Sequence, residues 1–316
     1  MTESSTAIEF NTPRWPFFGA SLAAGAEGCD AAIFGAPHGT PYPEIDNRPY
    51  ASAADTLRHA LHADADWAGH WNWDFDAPML GDNGFRLLDL GDLRTAPGEG
   101  EANRDLIEQA VRKILDVGAV PIMIGGDDSV PIPFISAFSD QAPLTILQID
   151  AHIDWREERR GEPLGFSSTM RRASEMSHVT KIVQVGMRGL GSARREEVEA
   201  AKAWGVEFIP ARDVHTKGIA AVLDLLPEGG NVLVTLDCDA LDPAIMPAVA
   251  GPAPGGLTYD QVTGLIAGTV KRGKLVGFAM VEFVAERDHH GVGALTAANV
   301  LVNVIGSLAK VHSPKG

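Results

Sequence analysis

A mostly parallel α/β sheet, doubly wound with helices on both faces, is the fold this sequence predicts, on three observations. Apolar runs of strand character alternate with stretches of helical spacing from about residue 30 onward. Acidic residues recur where those strands end, after Ile124, Ile149 and Leu236 and at Glu282, the end at which ligands bind in such folds. No internal repeat, low-complexity tract or splitting linker interrupts the pattern, so residues 1–316 read as one domain, with 1–28 as a lead-in arm.

The elements follow in order. Ala31 to Gly35 reads as a strand, Thr56 to Ala63 as a helix and Phe85 to Leu90 as a strand. Glu101 to Val117 carries Leu106, Ile107, Ala110, Val111, Ile114 and Leu115 on one side, a helical stripe that Gly118 ends. Val120 to Ile124, Leu144 to Ile149 and Lys181 to Gly186 read as strands. Ser192 to Trp204 is a helix, Val206 to Ile209 a strand and Ile219 to Leu226 a helix. The strand Asn231 to Leu236 leads into a Pro/Gly-rich loop from Pro243 to Gly256 and a helix from Thr258 to Lys271. Leu275 to Glu282 is the last strand and Thr296 to Ala309 the closing helix.

Composition narrows the function classes. Hydrophobic residues make up 45% and charged residues 22%, the ordinary globular balance. A formal net charge of −16 argues against nucleic acid or anionic membrane as a partner, because both select basic patches. Cys29 and Cys238 are too few for a disulfide framework, and strand alternation turns Cys238 toward the core. Met1 to Thr6 has neither a basic nor an apolar signal region. No apolar run is expected to reach the length of a membrane span. A cytoplasmic setting follows as the expectation.

The chemistry concentrates in two segments, Asp150-Ala151-His152-Ile153-Asp154 and Asp237-Cys238-Asp239. If strand geometry persists, Asp150, His152 and Asp154 face one way, as do Asp237 and Asp239. Carboxylates converging at strand ends repel one another unless a cation sits among them. Carboxylate oxygen and imidazole nitrogen suit manganese, nickel, zinc or iron. An aspartate after a strand is also a common helix cap, but capping does not account for four acidic strand ends.

With these motifs the sequence resembles the ureohydrolases, the family of arginase and agmatinase. Their Gly-Gly-Asp-His-Ser segment corresponds to Gly125-Gly126-Asp127-Asp128-Ser129, and their Asp-Ala-His-x-Asp segment to Asp150–Asp154. Their Ser-x-Asp-x-Asp-x-x-Asp-Pro segment corresponds to Thr235–Pro243, and Pro254–Thr258 and Met280-Val281-Glu282 match in order and spacing. The resemblance implies a three-layer α/β/α sandwich, arginase-like, assembled as trimers or hexamers. It implies two divalent ions, manganese first and nickel second, with a hydroxide between them that attacks the guanidinium carbon and releases urea from a small guanidino substrate such as agmatine or a guanidino acid. By the same resemblance Asp150 and Asp237 bridge the ions, His152 and Asp239 complete one shell, and Asp128 and Asp154 the other. Asp154 also handles the proton of the departing amine, and Glu282 anchors the guanidinium.

Three departures bear on function. Aspartate stands at 128 where the family has histidine; it is either a more anionic ligand or the mark of a catalytically silent subunit that supports an active paralogue in a hetero-oligomer. Leu164 occupies the place of a family histidine, beside the charged run Trp155 to Arg160. Within that run Trp155 and Arg156 are candidates for substrate binding, the arginine through a substrate carboxylate, against the plainer reading of a solvated loop. Val249-Ala250-Gly251 replaces a family Thr-Gly-Thr. His289-His290, His38 and the tryptophans at 67, 71 and 73 are weighed as entrance residues, with surface or packing roles as the commoner alternative.

Overall fold

In the computed structural model, residues 8–80, 84–141, 143–191 and 193–312 are described. Met1 to Thr6, and Ser192 as a helix start, lie outside them. The strands are β1 (Phe10–Asn11), β2 (Ser21–Leu22), β3 (Ala31–Ala36), β4 (Trp71–Asn72), β5 (Ala77–Pro78), β6 (Leu87–Leu93), β7 (Val120–Gly125), β8 (Leu144–Ile149), β9 (Val179–Val185), β10 (Glu207–Ile209), β11 (Asn231–Asp237) and β12 (Lys274–Val281). The helices are α1 (Ala53–Ala60), α2 (Gly100–Asp116), α3 (Pro131–Ser136), α4 (Thr169–Ala173), α5 (Arg195–Trp204), α6 (Ala211–Lys217), α7 (Ala220–Leu223), α8 (Tyr259–Arg272) and α9 (Val292–Val311).

One sheet runs in the order β1-β6-β3-β7-β12-β11-β8-β9-β10, with β2 also on β6. Its pairings are parallel except β1 on β6. Side-chain alternation divides each strand between two cores. On β11, Val232, Val234 and Leu236 join α1, α8 and α9 in one core, while Leu233 joins α2, α3, α4 and α5 in the other. The result is the expected three-layer sandwich.

Local chemistry sets the helices. In α2, Ile107, Ala110, Val111 and Ile114 are buried at helical spacing, and Gly118 follows with a left-handed φ of 72°. A reciprocal capping box between Thr258 and Gln261 starts α8. The sequence expectation places the first helix three residues late and leaves out α3, α4 and α6. All three contain seven residues or fewer, too short for a periodic stripe to show.

The closing helix corrects another expectation. It runs 20 residues and is long and apolar enough to cross a membrane by length and composition, yet 78% of its most apolar window is buried inside the protein. Its apolar residues fill the core against α8 and α1, and Asn303 Nδ2 donates to Asp74 and to the Tyr259 hydroxyl. A helix apolar all round is what a large core also requires. The lead-in segment likewise joins the sheet, since β1 and β2 extend the β6 edge.

What positions the site is register. Ile124 of β7 pairs with Met280 of β12, Val281 of β12 with Asp237 of β11, and Leu236 of β11 with Ile149 of β8. The carboxyl ends of four neighbouring strands therefore deliver Asp128, Glu282, Asp237 and Asp150 side by side.

Candidate metal centre and substrate cavity

Regular extension ends at Ile149 on β8 and at Asp237 on β11, so the one-face argument for Asp150 to Asp154 does not apply as stated. Turns gather the side chains instead. His152 N–H donates to Asp150 Oδ1 at 2.6 Å and Asp239 N–H to Asp237 Oδ1 at 2.7 Å. Both are aspartate turns in which the side chain captures the amide two residues on. Asp154 and Glu282 have left-handed φ values of 43° and 64°. Non-glycine residues avoid that region unless the surroundings fix them there.

Among the described residues this forms two groups of three side chains that could hold a metal ion: Asp150, His152 and Asp239, and Asp128, Asp150 and Asp154. Asp150 belongs to both. Asp237 lines the same cavity without joining either group. His152 Nδ1 lies 3.0 Å from Asp239 Oδ2 and 3.5 Å from Asp150 Oδ1. Residues not singled out in the sequence hold the acids in place. Gln148 Nε2 donates to Asp150 Oδ2 at 2.8 Å and to Asp154 Oδ2 at 2.9 Å. Gln184 in turn donates to Gln148 Oε1 and to the Ile153 carbonyl. Thr169 donates to the Asp128 carbonyl, and Arg188 Nη2 to the Asp239 carbonyl at 2.6 Å. Gln148 was legible in principle as a polar residue near the carboxyl end of a mostly apolar strand, two residues before Asp150.

Glu282 is 8% exposed and both its oxygens are engaged. Asp128 N–H donates to Oε1 at 2.9 Å and the Tyr50 hydroxyl to Oε2 at 2.6 Å. Each carboxylate oxygen has two acceptor directions, so the acid is fixed and can still receive a forked cation.

Burial and crowding raise these acids together. Desolvation, then neighbouring carboxylates, pushes Asp128, Asp154 and Asp237 well above the ordinary aspartate range. Asp150 rises to about 6 and Glu282 to about 8, burial leading in both. His152 is pushed up to about 11, by its hydrogen bond to Asp150 first and to Asp239 second. The cluster without a cation must hold protons, and a divalent ion can replace them. The donor set fits one. Asp128 Oδ2 is buried with no hydrogen-bond partner, a cost of about 1–3 kcal/mol for a polar group unless something else binds it.

The acids open into a cavity of about 300 Å³, lined also by Tyr50, Arg156, Arg159, Phe166, Ala250 and Gly251. A larger cavity of about 620 Å³ touches His152 but is walled by Met187, Val198 and Ala211, with no carboxylate in its lining; the carboxylates line the smaller one. Trp155 corrects the sequence reading. It is 2% exposed, packs against Trp204 at 6.2 Å and belongs to the core, because an indole gains most by burial. Arg156 is on the wall, with Nε 3.9 Å from Glu197 Oε1. His38 is buried against Thr95, Nδ1 to Oγ1 3.0 Å, and lies outside the lining. His289 and His290 are exposed and also outside it, and so are Trp67, Trp71 and Trp73, 56%, 55% and 83% exposed. Cys238 is fully buried in the core, its thiol pushed up by desolvation.

The sequence model of the arginase family matches residues 29–306. The chain is similar to an N(1)-aminopropylagmatine ureohydrolase of Thermus thermophilus, 32% identical over 66% of this chain and 69% of that protein. It is similar to a mitochondrial guanidino acid hydrolase of Homo sapiens, 29% identical over 90% of this chain and 80% of that one. Among solved structures, an agmatine ureohydrolase of Thermoplasma volcanium superposes with a TM-score of 0.75 at 29% identity, covering 90% of this chain and 92% of that one.

Proposed function

This chain belongs to the arginase family, and from that premise we propose that it is a metal-dependent amidinohydrolase releasing urea from a small guanidino compound, agmatine or a guanidino acid. As a hydrolase it acts on C–N bonds of linear amidines. The observation that carries the reading is Asp150 shared between two groups of possible ligands, with a buried carboxylate, Glu282, in the cavity that the other members of those groups line.

Asp128, Asp150, His152, Asp154, Asp237 and Asp239 would hold two divalent ions, manganese first and nickel second. What such ions supply here is positive charge that makes water nucleophilic at neutral pH. The rest falls to the chain. Glu282, fixed by Tyr50 and the Asp128 amide, pairs with the guanidinium, whose planar fork of donors matches a carboxylate. Its burial strengthens that pairing, because little water competes for either partner. Asp154, oriented by Gln148, takes a proton from the attacking water and passes it to the nitrogen of the departing amine. One C–O bond forms and one C–N bond breaks, giving urea and the amine. Leu164 is in the place of a family histidine, so arginine is expected to be a poor substrate.

A urea-release screen over guanidino compounds with manganese or nickel tests the proposal, alongside the metal content of the purified protein. About two ions per chain and urea from agmatine or a guanidino acid support it. Bound metal with no urea from any guanidino compound sinks it.

A further inference from the structure

We infer that Arg159 is the specificity residue of this cavity, pairing with a carboxylate at the far end of the substrate and so selecting a guanidino acid over agmatine; this rests on the amidinohydrolase reading above. The charge layout motivates it. Glu282 is the buried acid proposed to face the guanidinium at one end, and Arg156 and Arg159 line the same cavity, while none of the glutamates from the same charged run does. A molecule with a cation at one end and an anion at the other satisfies both ends.

Of the two arginines, Arg159 is the better placed. Its side chain is 31% exposed against 19% for Arg156, so a substrate reaches it at smaller desolvation cost. It is also pre-set. Arg159 and Glu162 exchange backbone hydrogen bonds at 3.1 Å across Arg160 and Gly161, both of positive φ, the geometry of a tight hairpin turn. The guanidinium lies 4.8 Å from the centroid of the Tyr42 ring, whose hydroxyl accepts from Ser167 N–H at 3.0 Å. An arginine held flat on an aromatic keeps its edge donors for a planar anion.

Among the described residues, the carboxylate paired with it is shared. Glu44 Oε1 lies 3.1 Å from Arg159 Nη2 and 3.3 Å from Arg160 Nε. Two guanidinium groups thus divide one anion and leave net positive charge at this wall. Glu158, the neighbour of Arg159 in sequence, accepts from the Gly161 N–H, and Glu157 is drawn to Arg171, 2.8 Å away. The terminal ammonium of agmatine would meet that positive wall, whereas a carboxylate would complete it.

The test compares 4-guanidinobutyrate with agmatine by urea release and by calorimetric binding, using the manganese-loaded full-length protein, Arg159→Gln and Glu44→Gln. Arg159→Gln should raise KM and Kd for the acid by about tenfold or more, the effect of losing a charged hydrogen bond, with kcat for the acid little changed. It should lower both constants for agmatine. Glu44→Gln should do the reverse, tightening the acid several-fold and weakening agmatine. Shifts of the same sign for both substrates, or tighter wild-type binding of agmatine than of the acid, would overturn the inference, as would no binding of either. Arg159-dependent binding of the acid without urea would refute the amidinohydrolase reading and leave this assignment intact.

Discussion

The backbone N–H of Asp128 donates to Glu282 Oε1 at 2.9 Å, so one residue serves two ends of the site. Its amide fixes the acid proposed to face the guanidinium, and its carboxylate, with Oδ2 buried and lacking a hydrogen-bond partner, faces Asp150 and Asp154. Substituting the side chain leaves the amide in place, which lets the two duties be separated.

Asp128→Asn is therefore expected to weaken divalent-ion binding by at least about tenfold, by removing a ligand charge, while Glu282 stays oriented. Asp128→His should bind metal and move the pH–rate profile toward lower pH, because a neutral ligand leaves the ions more acidifying. Calorimetric titration with manganese reads the first effect and kcat/KM against pH the second. Unchanged affinity in Asp128→Asn would remove Asp128 from the ligand set.

Tyr50 gives the next prediction. Its hydroxyl is 2.6 Å from Glu282 Oε2, across 232 residues of sequence. Tyr50→Phe keeps the ring in its buried place and deletes one charge-assisted hydrogen bond, about 1.5–3 kcal/mol. We expect kcat/KM to fall by about ten- to a hundredfold, with metal content unchanged. Glu282→Gln should lower it by about two orders of magnitude, again with metal retained. Loss of metal in either variant would place these residues in the metal site rather than around the guanidinium.

Metal removal should abolish urea release, and manganese or nickel should restore it, because water at neutral pH is otherwise too weak a nucleophile. Asp150→Asn should lose more metal than Asp239→Asn, since Asp150 belongs to both ligand groups and Asp239 to one. Full activity after exhaustive chelation, with metal absent by elemental analysis, contradicts the whole reading.

The legibility of these features divides along a physical line. Strands such as Leu144–Ile149 and Asn231–Asp237 were visible because burial on both faces makes them locally apolar. The acids after them were visible because function in a parallel sheet sits at the carboxyl ends. The turn geometry was not: Asp150 and His152 read as one strand face, whereas the chain leaves the strand and an aspartate turn joins them. Trp155 was misplaced because adjacency to Asp154 in sequence says nothing once Asp154 takes a left-handed φ. Tyr50 was out of reach for a different reason, since it meets Glu282 across a long stretch of sequence and no local pattern announces which loop folds over a site. The charged run Trp155 to Arg160 was visible, but not which of its arginines is the less buried in the cavity wall.

The last prediction concerns pH and the metal-free protein. Asp150 is raised to about 6 and Glu282 to about 8, with Asp128, Asp154 and Asp237 raised as well. In the unfolded chain these groups titrate near ~4, so the folded state binds more protons across the interval. His152, raised to about 11 from an ordinary 6.5, adds in the same direction. The sign follows from linkage: each contribution is present below the unfolded value and is lost as pH rises through the folded one. Acids lowered in the folded state, such as Asp46 at about 2, act in the opposite sense but only at lower pH. Between pH 5.5 and 8.5 the stability of the metal-free protein should therefore fall, by about 1.4 kcal/mol per pH unit for each extra proton the folded state holds, and its Tm with it. Manganese, taking the place of those protons, should remove most of the slope and stabilise most at the alkaline end. Scanning calorimetry over that range decides it, and a Tm that climbs with pH in the metal-free protein would show that the cluster does not hold protons in the way its burial requires.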